Sequence, residues 1–310
     1  MDVSIIIPTY NRLWSLKKAV SSCFDTKLKI EVLVIDDGST DGTAEWLKQQ
    51  PNILFFQQAN RGKDWAINNF FRYTQGKYIR FLDSDDWLLP SSTHLLFEEA
   101  ELKNADVVAA GNQVYTVDEK LIRTNNWVIN DDFIAQQLGE TDSSHYSAYL
   151  FKKDFISDIP HRQEFGARDD RQFIIEVALK NPITSYIESP TLAHRMHQNE
   201  RLQNFKASEA FLASLATLKI YKMAFKLLSA SGQLTQRRKN AGIKMLWPVS
   251  HWLAKDNIME GKSVYNWIKE LDPNFIIPDK GFIGFCYRTL GFSATEKLLK
   301  IRRILLKGIN

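Results

Sequence analysis

Two periods alternate along the first hundred residues. Residues 3–7 (Val-Ser-Ile-Ile-Ile), closed by Pro8, form a short β-branched run that predicts a buried strand. Residues 14–24 place Leu16, Ala19, Val20 and Cys23 at helical spacing. Residues 31–35 predict a second strand, broken by Asp36-Asp37-Gly38-Ser39. Residues 43–50 predict a helix with its cap among Ser39, Thr40 and Asp41. A strand over 53–57, a helix over 63–74 and a strand over 78–82 follow. Such alternation with short turns predicts an α/β fold whose sheet is mostly parallel and flanked by helices. Sheets of this kind bind ligands at the carboxyl ends of their strands. Three polar clusters fall there: Thr9-Tyr10-Asn11, Asp36 to Ser39, and Asp83-Ser84-Asp85-Asp86.

Beyond residue 90 the pattern loosens. It predicts helices over 91–104, 129–138 and 171–179 and strands over 107–110 and 113–117. From 206 onward it predicts almost only helix, over 207–228, 234–253, 263–271 and 295–306. The boundary near 205 separates an α/β part (1–205, in halves 1–90 and 91–205) from a helical part (206–310). Charge changes sign at nearly the same place. The net charge is +4, but residues 201–310 carry 19 basic and 7 acidic side chains, against 21 and 29 in residues 1–200. The acidic part suits a cation and the basic part an anionic surface.

Composition narrows the class. At 44% apolar and 25% charged, the chain is of the globular kind, neither disordered nor fibrous. Cys23 and Cys286 are its only thiols, too few for a disulfide scaffold or a four-thiolate zinc site, and they point to a reducing compartment. The N-terminus enters the first strand with no basic leader, so no signal peptide is expected. No run reaches the ~18 apolar residues of a simple membrane span. The expected location is the cytoplasm.

The Asp83–Asp86 cluster concentrates three carboxylates after an apolar strand. They repel unless a cation or hydrogen-bond donors neutralise them. Asp83 and Asp85 alternate off the strand end and so point the same way. Hard oxygen donors of this kind, completed by phosphate, suit Mg²⁺ or Mn²⁺. The plainer reading is an Asp-rich turn in which Ser84 or Asp86 serves as a cap. Asp36 and Asp37 admit the same pair of readings, nucleoside recognition or a surface turn. No Gly-x-Gly-x-x-Gly follows the first strand and no Gly-x-x-x-x-Gly-Lys run occurs, which excludes the common dinucleotide and P-loop sites.

Taken together, the runs at 3–12 (ending Pro8-Thr9-Tyr10-Asn11-Arg12), 34–43 (around Asp36-Asp37-Gly38-Ser39) and 76–86 (ending Asp83-Ser84-Asp85-Asp86) strongly resemble family 2 glycosyltransferases of the GT-A fold. The resemblance is strong over residues 1–90 and thinner to about 200. It implies a nucleoside-diphosphate sugar donor, usually a UDP-sugar, with Mn²⁺ or Mg²⁺ as cofactor. By the resemblance, the nucleotide falls to Pro8, Thr9, Tyr10, Arg12, Asp36, Asp37, Lys63, Asp83 and Ser84, and the metal to Asp85, Asp83 and His197. His197 lies in Arg195-Met196-His197, which is similar to the family's Arg-x-His segment, with His194 beside it. The family's acidic pair at a helix start matches Asp169-Asp170, with Asp170 as general base and Asp169 in acceptor binding. Read without the family, that pair is also what a helix N-terminus favours electrostatically. One departure stands out: Ile67 occupies the place of an Arg common in the family, and Lys63 or Arg61 is the candidate substitute.

Residues 296–307 complete the picture. Leu298, Ile301 and Leu305 share one helical stripe, and Lys297, Lys300, Arg303 and Lys307 another. A basic amphipathic helix over 295–307 is expected to lie on an anionic membrane or, alternatively, to pack its stripe on the core. No nucleic-acid module is recognisable. The expectation is an inverting glycosyltransferase acting on a glycan or lipid-linked acceptor in bacterial surface polysaccharide or lipopolysaccharide synthesis, peripheral on the inner face of the membrane. A sugar nucleotidyltransferase and a catalytically silent sugar-nucleotide-binding protein are the rivals.

Overall fold

The computed structural model describes residues 1–197 and 207–307. It opens with β1 (Val3–Thr9), α1 (Leu13–Ser21), β2 (Ile30–Asp36), α2 (Thr43–Leu47), β3 (Leu54–Gln57), α3 (Lys63–Phe70) and β4 (Tyr78–Phe81). β1 lies between β2 and β4 and is parallel to both, with Ile5 opposite Val32 on one side and Arg80 on the other. Alternation along β1 decides which residue takes which face. Val3, Ile5 and Ile7 join Leu16, Ala19, Leu96 and Ala100 in one buried cluster, while Ile6 joins Ile67, Phe81, Phe173 and Val177 in a second. A one-residue slip would exchange the two sets, so the register is tightly held.

The chain continues through β5 (Trp87–Leu88), α4 (Ser92–Lys103), β6 (Val107–Ala109), β7 (Asn112–Tyr115), β8 (Leu121–Asn125), α5 (Phe133–Gln137), β9 (Tyr149–Lys152), α6 (Lys153–Ile156), α7 (Asp169–Leu179), β10 (Thr184–Tyr186) and β11 (Leu192–Arg195). The main sheet has the order β10-β6-β9-β4-β1-β2-β3, and a second, four-stranded sheet the order β5-β11-β7-β8. β9 runs antiparallel to both β4 and β6, so the sheet is mixed but mostly parallel. Several expected helices are shorter than their patterns, α1 and α2 among them. The run 129–138 keeps only α5, and 63–74 divides into α3 and a 3₁₀ turn over Phe71–Tyr73.

Two buried polar groups fasten the sheet. Glu31 accepts from the Ser4 hydroxyl and from the amides of Gln75 and Gly76, closing the turn into β4 against β1 and β2. Arg80 is fully buried in β4, and burial pushes its guanidinium down to about 9. It donates to Ser92 and Thr93 at the start of α4 (3.0 and 2.8 Å), to the Thr191 carbonyl before β11 (2.9 Å) and to the Ser147 carbonyl before β9 (3.3 Å). One side chain thereby joins three segments that converge below the Asp83–Asp86 loop.

The chain divides into two compact units. The first comprises Met1–Phe133, Thr141–Glu164 and Asp169–Arg201, and the second Ile134–Glu140, Phe165–Arg168 and Leu202–Asn310. The boundary expected near 205 lies outside the described residues. In the second unit run α8 (Ala207–Ala230), α9 (Gln236–Asp256), α10 (Ile258–Leu271) and α11 (Gly281–Lys307). α9 and α10 start at side-chain caps, Thr235 and Asn257. α11 bends at Gly291, whose φ of +77° suits glycine. Past the bend, buried Glu296 bonds to His251 Nδ1 of α9 and to the Tyr287 hydroxyl, both at 2.6 Å. Among the described residues no helix is long and apolar enough to cross a membrane.

Gly76 provides a test of the fastening. A Cβ there would lie 2.3 Å from the Ser4 amide nitrogen and 2.6 Å from its hydroxyl. Gly76→Ala is expected to destabilise the chain by roughly 1–3 kcal/mol, as overpacking against backbone does. Urea unfolding measures this, and an unchanged midpoint would show that the turn yields freely.

Candidate functional site

The strand ends bring together most of the residues singled out in the sequence. Pro8 and Thr9 end β1, Asp36 ends β2, and Asp83 to Asp86 follow β4. Pro8 is paired with Ile35 inside the sheet, Thr9 is buried and Tyr10 is exposed. The Thr9 hydroxyl makes no hydrogen bond within the protein, which leaves a buried polar atom for a ligand. Asn11 takes a positive φ, holding the Ser39 hydroxyl through its amide and the Thr40 amide through its side chain. Arg12 leads directly into α1, with Ser15 and Leu16 amides bonded to its carbonyl.

Asp36 and Asp37 are held by the protein itself. Both are buried, and their oxygens already accept protein donors. Asp36 takes the Ser39 amide and Gln57, while Asp37 takes the Arg61 and Gly62 amides (2.8 Å each) and Gln58. These bonds fix the orientation of both carboxylates at the end of β2. Ser84 is likewise buried, its carbonyl accepting from Ser15. Ile67, where the family often has Arg, lies in the core.

Lys63 is the centre of the cluster. Its ammonium lies 2.7 Å from Asp83 Oδ1 and 2.9 and 3.0 Å from the two oxygens of Asp170, above the ring of Tyr146. Although burial opposes its charge, Asp170 and Asp83 raise the lysine's pKa above its ordinary value. Asp83, at the end of β4, and Asp170, in the first turn of α7, thus meet on one cation.

The remaining carboxylates of the loop face histidines. Asp85 Oδ2 is 2.8 Å from His197 Nε2, and Trp14 packs edge-on against the same imidazole. Asp86 is buried, accepting the Arg195 amide at 2.8 Å and His194 at 3.0 Å. His194, next to the family-like segment in sequence, is therefore engaged with Asp86. His145 Nε2 lies 4.0 Å from both Asp83 and Asp86, while its Nδ1 accepts the Ser147 amide.

Asp169, in the same turn as Asp170, faces inward. It is 2% exposed and bonds inward, to the Arg162 amide and to His161, with an Asp64 oxygen within 4.8 Å. Burial pushes His161 down to about 4, so the ring is neutral, and its Nε2 meets the Tyr146 hydroxyl at 2.8 Å. Asp170, by contrast, keeps its side chain 32% exposed. Asp64, His145, Tyr146 and His161 escaped the sequence reading because each is a single polar residue with no motif around it.

Comparison with known proteins follows the same residues. The model of glycosyl transferase family 2 matches residues 4–158, half of the chain. The chain belongs to glycosyl transferase family 2. Escherichia coli chondroitin synthase is 35% identical over 133 residues, which are 41% of this family 2 chain and 19% of that protein. Four other curated glycosyltransferases are matched over only 15% or 16% of their lengths. In fold, the chain is similar to S. aureus TarS 1–349 in complex with UDP-GlcNAc, with a TM-score of 0.55 at 15% identity, covering 90% of this chain and 95% of that one. It is also similar to the mannosyltransferase PcManGT of Pyrobaculum calidifontis in complex with GDP-Man and Mn²⁺, with a TM-score of 0.54 at 14% identity, covering 96% and 86%. The mostly parallel sheet flanked by helices is thus of the GT-A type.

The Asp85–His197 contact can be tested directly. Asp85 and His197 bring an oxygen and a nitrogen donor together, a pair of the kind that can ligate a divalent ion. His197→Ala is expected to weaken Mn²⁺ binding at least about tenfold, ~1.4 kcal/mol, as read by titration calorimetry on the full chain. Unaltered affinity would assign the ion to other residues.

Proposed function

We propose that the chain is an inverting glycosyltransferase that moves a sugar from a nucleoside-diphosphate sugar, a UDP-sugar foremost, to a hydroxyl of a glycan or lipid-linked acceptor. The observation that carries this reading is the meeting of Asp83 and Asp170 on Lys63. Asp83 belongs to the donor-side loop and Asp170 to a helix start open to solvent, so donor and acceptor chemistry share one locus. Family membership and the GT-A type of fold support it.

In this mechanism Thr9, Tyr10 and Arg12 line the nucleotide, with Asp36 and Asp37 shaping the loop around it. Asp85, Asp83 and His197 hold Mn²⁺ or Mg²⁺, an assignment that fits the oxygen and nitrogen donors present. When bound, the ion supplies positive charge beside the leaving diphosphate. Asp170 takes the proton from the acceptor hydroxyl as that oxygen attacks the anomeric carbon. Lys63 exchanges its two carboxylate partners for the donor's phosphate, which frees Asp170 as the substrates enter. Asp170→Asn is expected to lower transfer by about 10²–10⁴-fold while donor binding persists. Radiolabelled sugar transfer and a thermal-shift screen of nucleotide sugars with Mn²⁺ measure the two; retained turnover would remove Asp170 as the base, and loss of donor binding would mean that it holds the donor.

We further propose that α11 meets an anionic membrane surface at the cytoplasmic face, where a lipid-linked acceptor for surface polysaccharide synthesis would reside. Leu298, Ile301, Ile304 and Leu305 are 49–63% exposed, beside exposed Lys297, Lys300 and Arg302. Each basic residue near anionic lipid contributes about 1 kcal/mol. The combined variant Leu298→Asp, Ile301→Asp and Leu305→Asp is expected to abolish cosedimentation with phosphatidylglycerol vesicles. Undiminished cosedimentation would sink the proposal. Truncation at 294 is the poorer test, because it removes Glu296 from its buried bonds to His251 and Tyr287.

A further inference from the structure

Behind Lys63 lies a chain of buried polar groups that the transfer reaction does not itself use. Asp64 of α3 and Asp169 of α7 are 9% and 2% exposed, and a carboxylate oxygen of each lies within 4.8 Å of the other. Two carboxylates in that relation repel unless they share a proton. The other bonds decide which oxygen carries it. Asp169 accepts from the Arg162 amide at one oxygen and from His161 Nδ1 at the other. In the Nδ1–H tautomer, neutral His161 donates to Asp169 and leaves Nε2 to accept from the Tyr146 hydroxyl, and this is the tautomer assigned here. Burial pushes Asp169 up to about 7 as it does Asp64, so the pair holds a proton between them; with Asp169 already accepting from the Arg162 amide and facing His161 Nδ1, Asp64 is the partner placed to carry it.

We propose that Asp64 is a protonated carboxylic acid at mildly acidic pH and acts as a positioning residue, its proton bridging to Asp169 and fixing the first turn of α7 from which Asp170 projects. The role for Asp170 rests on the base assignment above; the protonation of Asp64 does not. The set of ligand atoms in Asp64, His161 and Asp169 is compact enough to suggest a metal ion instead. Against this, His161 Nδ1 is bonded directly to Asp169, and the imidazole is stacked on Phe173 inside an aromatic cluster. A shared proton fits that space.

The charged surroundings act in both directions. Burial foremost, then the charge of Asp169, pushes Asp64 up to about 7, while His161 and Lys63 pull it down. Asp170 and Asp83 lie across Lys63, and Tyr146 stays neutral because burial raises its phenol. Since Asp64 titrates above the ordinary carboxyl range, the bridging proton is present below that value and is lost as pH rises through it. His161, displaced downward, stays neutral throughout the window. Above it, Asp64 and Asp169 are like charges in contact, and α7 loses its anchor.

Infrared difference spectra of the full chain against Asp64→Asn test the proton directly. A protonated-carboxyl carbonyl band is expected near pH 6 and should fade as pH passes about 7. Its absence near pH 6, or a divalent ion that copurifies with the chain and is lost in Asp64→Asn, would overturn the shared proton. Turnover tests the positioning. Asp64→Ala is expected to lower kcat at least about tenfold with little change in donor KM. Asp64→Asn, whose amide still donates to Asp169, should recover most of that loss and remove the alkaline decline in kcat. If Asp64→Ala fails to fold, the alkaline limb of Asp64→Asn carries the comparison, and a limb identical to wild type overturns the positioning role. Retained turnover in Asp170→Asn would remove the base alone, with the infrared band still deciding the state of Asp64.

Discussion

Carboxylates gathered at one end of a sheet set the constraint that the first unit must satisfy. Two like charges about 4 Å apart repel by roughly 4 kcal/mol at the effective dielectric of a protein surface, so each acid needs its own donors. Lys63 answers for Asp83 and Asp170. Backbone amides answer for Asp37, Asp86 and Asp169. Asp85 has His197, and Asp64 is placed to keep its proton. Lys63 ties together two part-exposed carboxylates from different elements, which makes it as much a structural residue as a functional one. The same lysine reaches across from α3 to α7, so the geometry of the donor loop and that of the candidate base are not independent.

The fold supplies these donors by placing short, irregular segments beside the strand ends. Arg80 is the clearest case: a guanidinium with four bonds to α4, to the turn before β9 and to the loop before β11. Its charge is buried without a carboxylate bonded to it, and the hydroxyls and carbonyls around it take the place of a counter-ion. That arrangement holds β11 where its following residues, Met196 and His197, can reach the Asp85 side of the loop.

Strands β1, β2 and β4 and helix α1 were legible because their apolar residues recur over enough positions to fix a period. The motif positions were legible because they sit where those strands end. β9 and β11 were not, since four residues such as Tyr-Leu-Phe-Lys or Leu-Ala-His-Arg carry too little alternation. The division of labour between Asp169 and Asp170 was equally hidden. Adjacent residues at a helix start point in different directions, and only tertiary packing shows that one is buried against His161 while the other stays open to solvent. Asp36 and Asp37 illustrate the converse: a motif located them, but the donors that occupy their oxygens come from Gln57, Gln58, Arg61 and Gly62, some twenty residues away.

The unequal charges of the two halves take on a different meaning once burial is known. In residues 1–200 much of the acidic excess is turned inward and matched to specific donors, so it is a property of the site and projects little field outward. In the second unit the balance runs the other way. Glu296, an acid of α11, is fully buried against His251 and Tyr287, whereas Lys297, Lys300 and Arg302 face out. Buried Glu296 lies 3.8 Å from Arg303 of the same helix, and the exposed Lys297, Lys300 and Arg302 are left to make the surface basic. An anionic partner would meet that exposed charge together with the apolar side chains between it, and salt would weaken the first contribution while leaving the second in place.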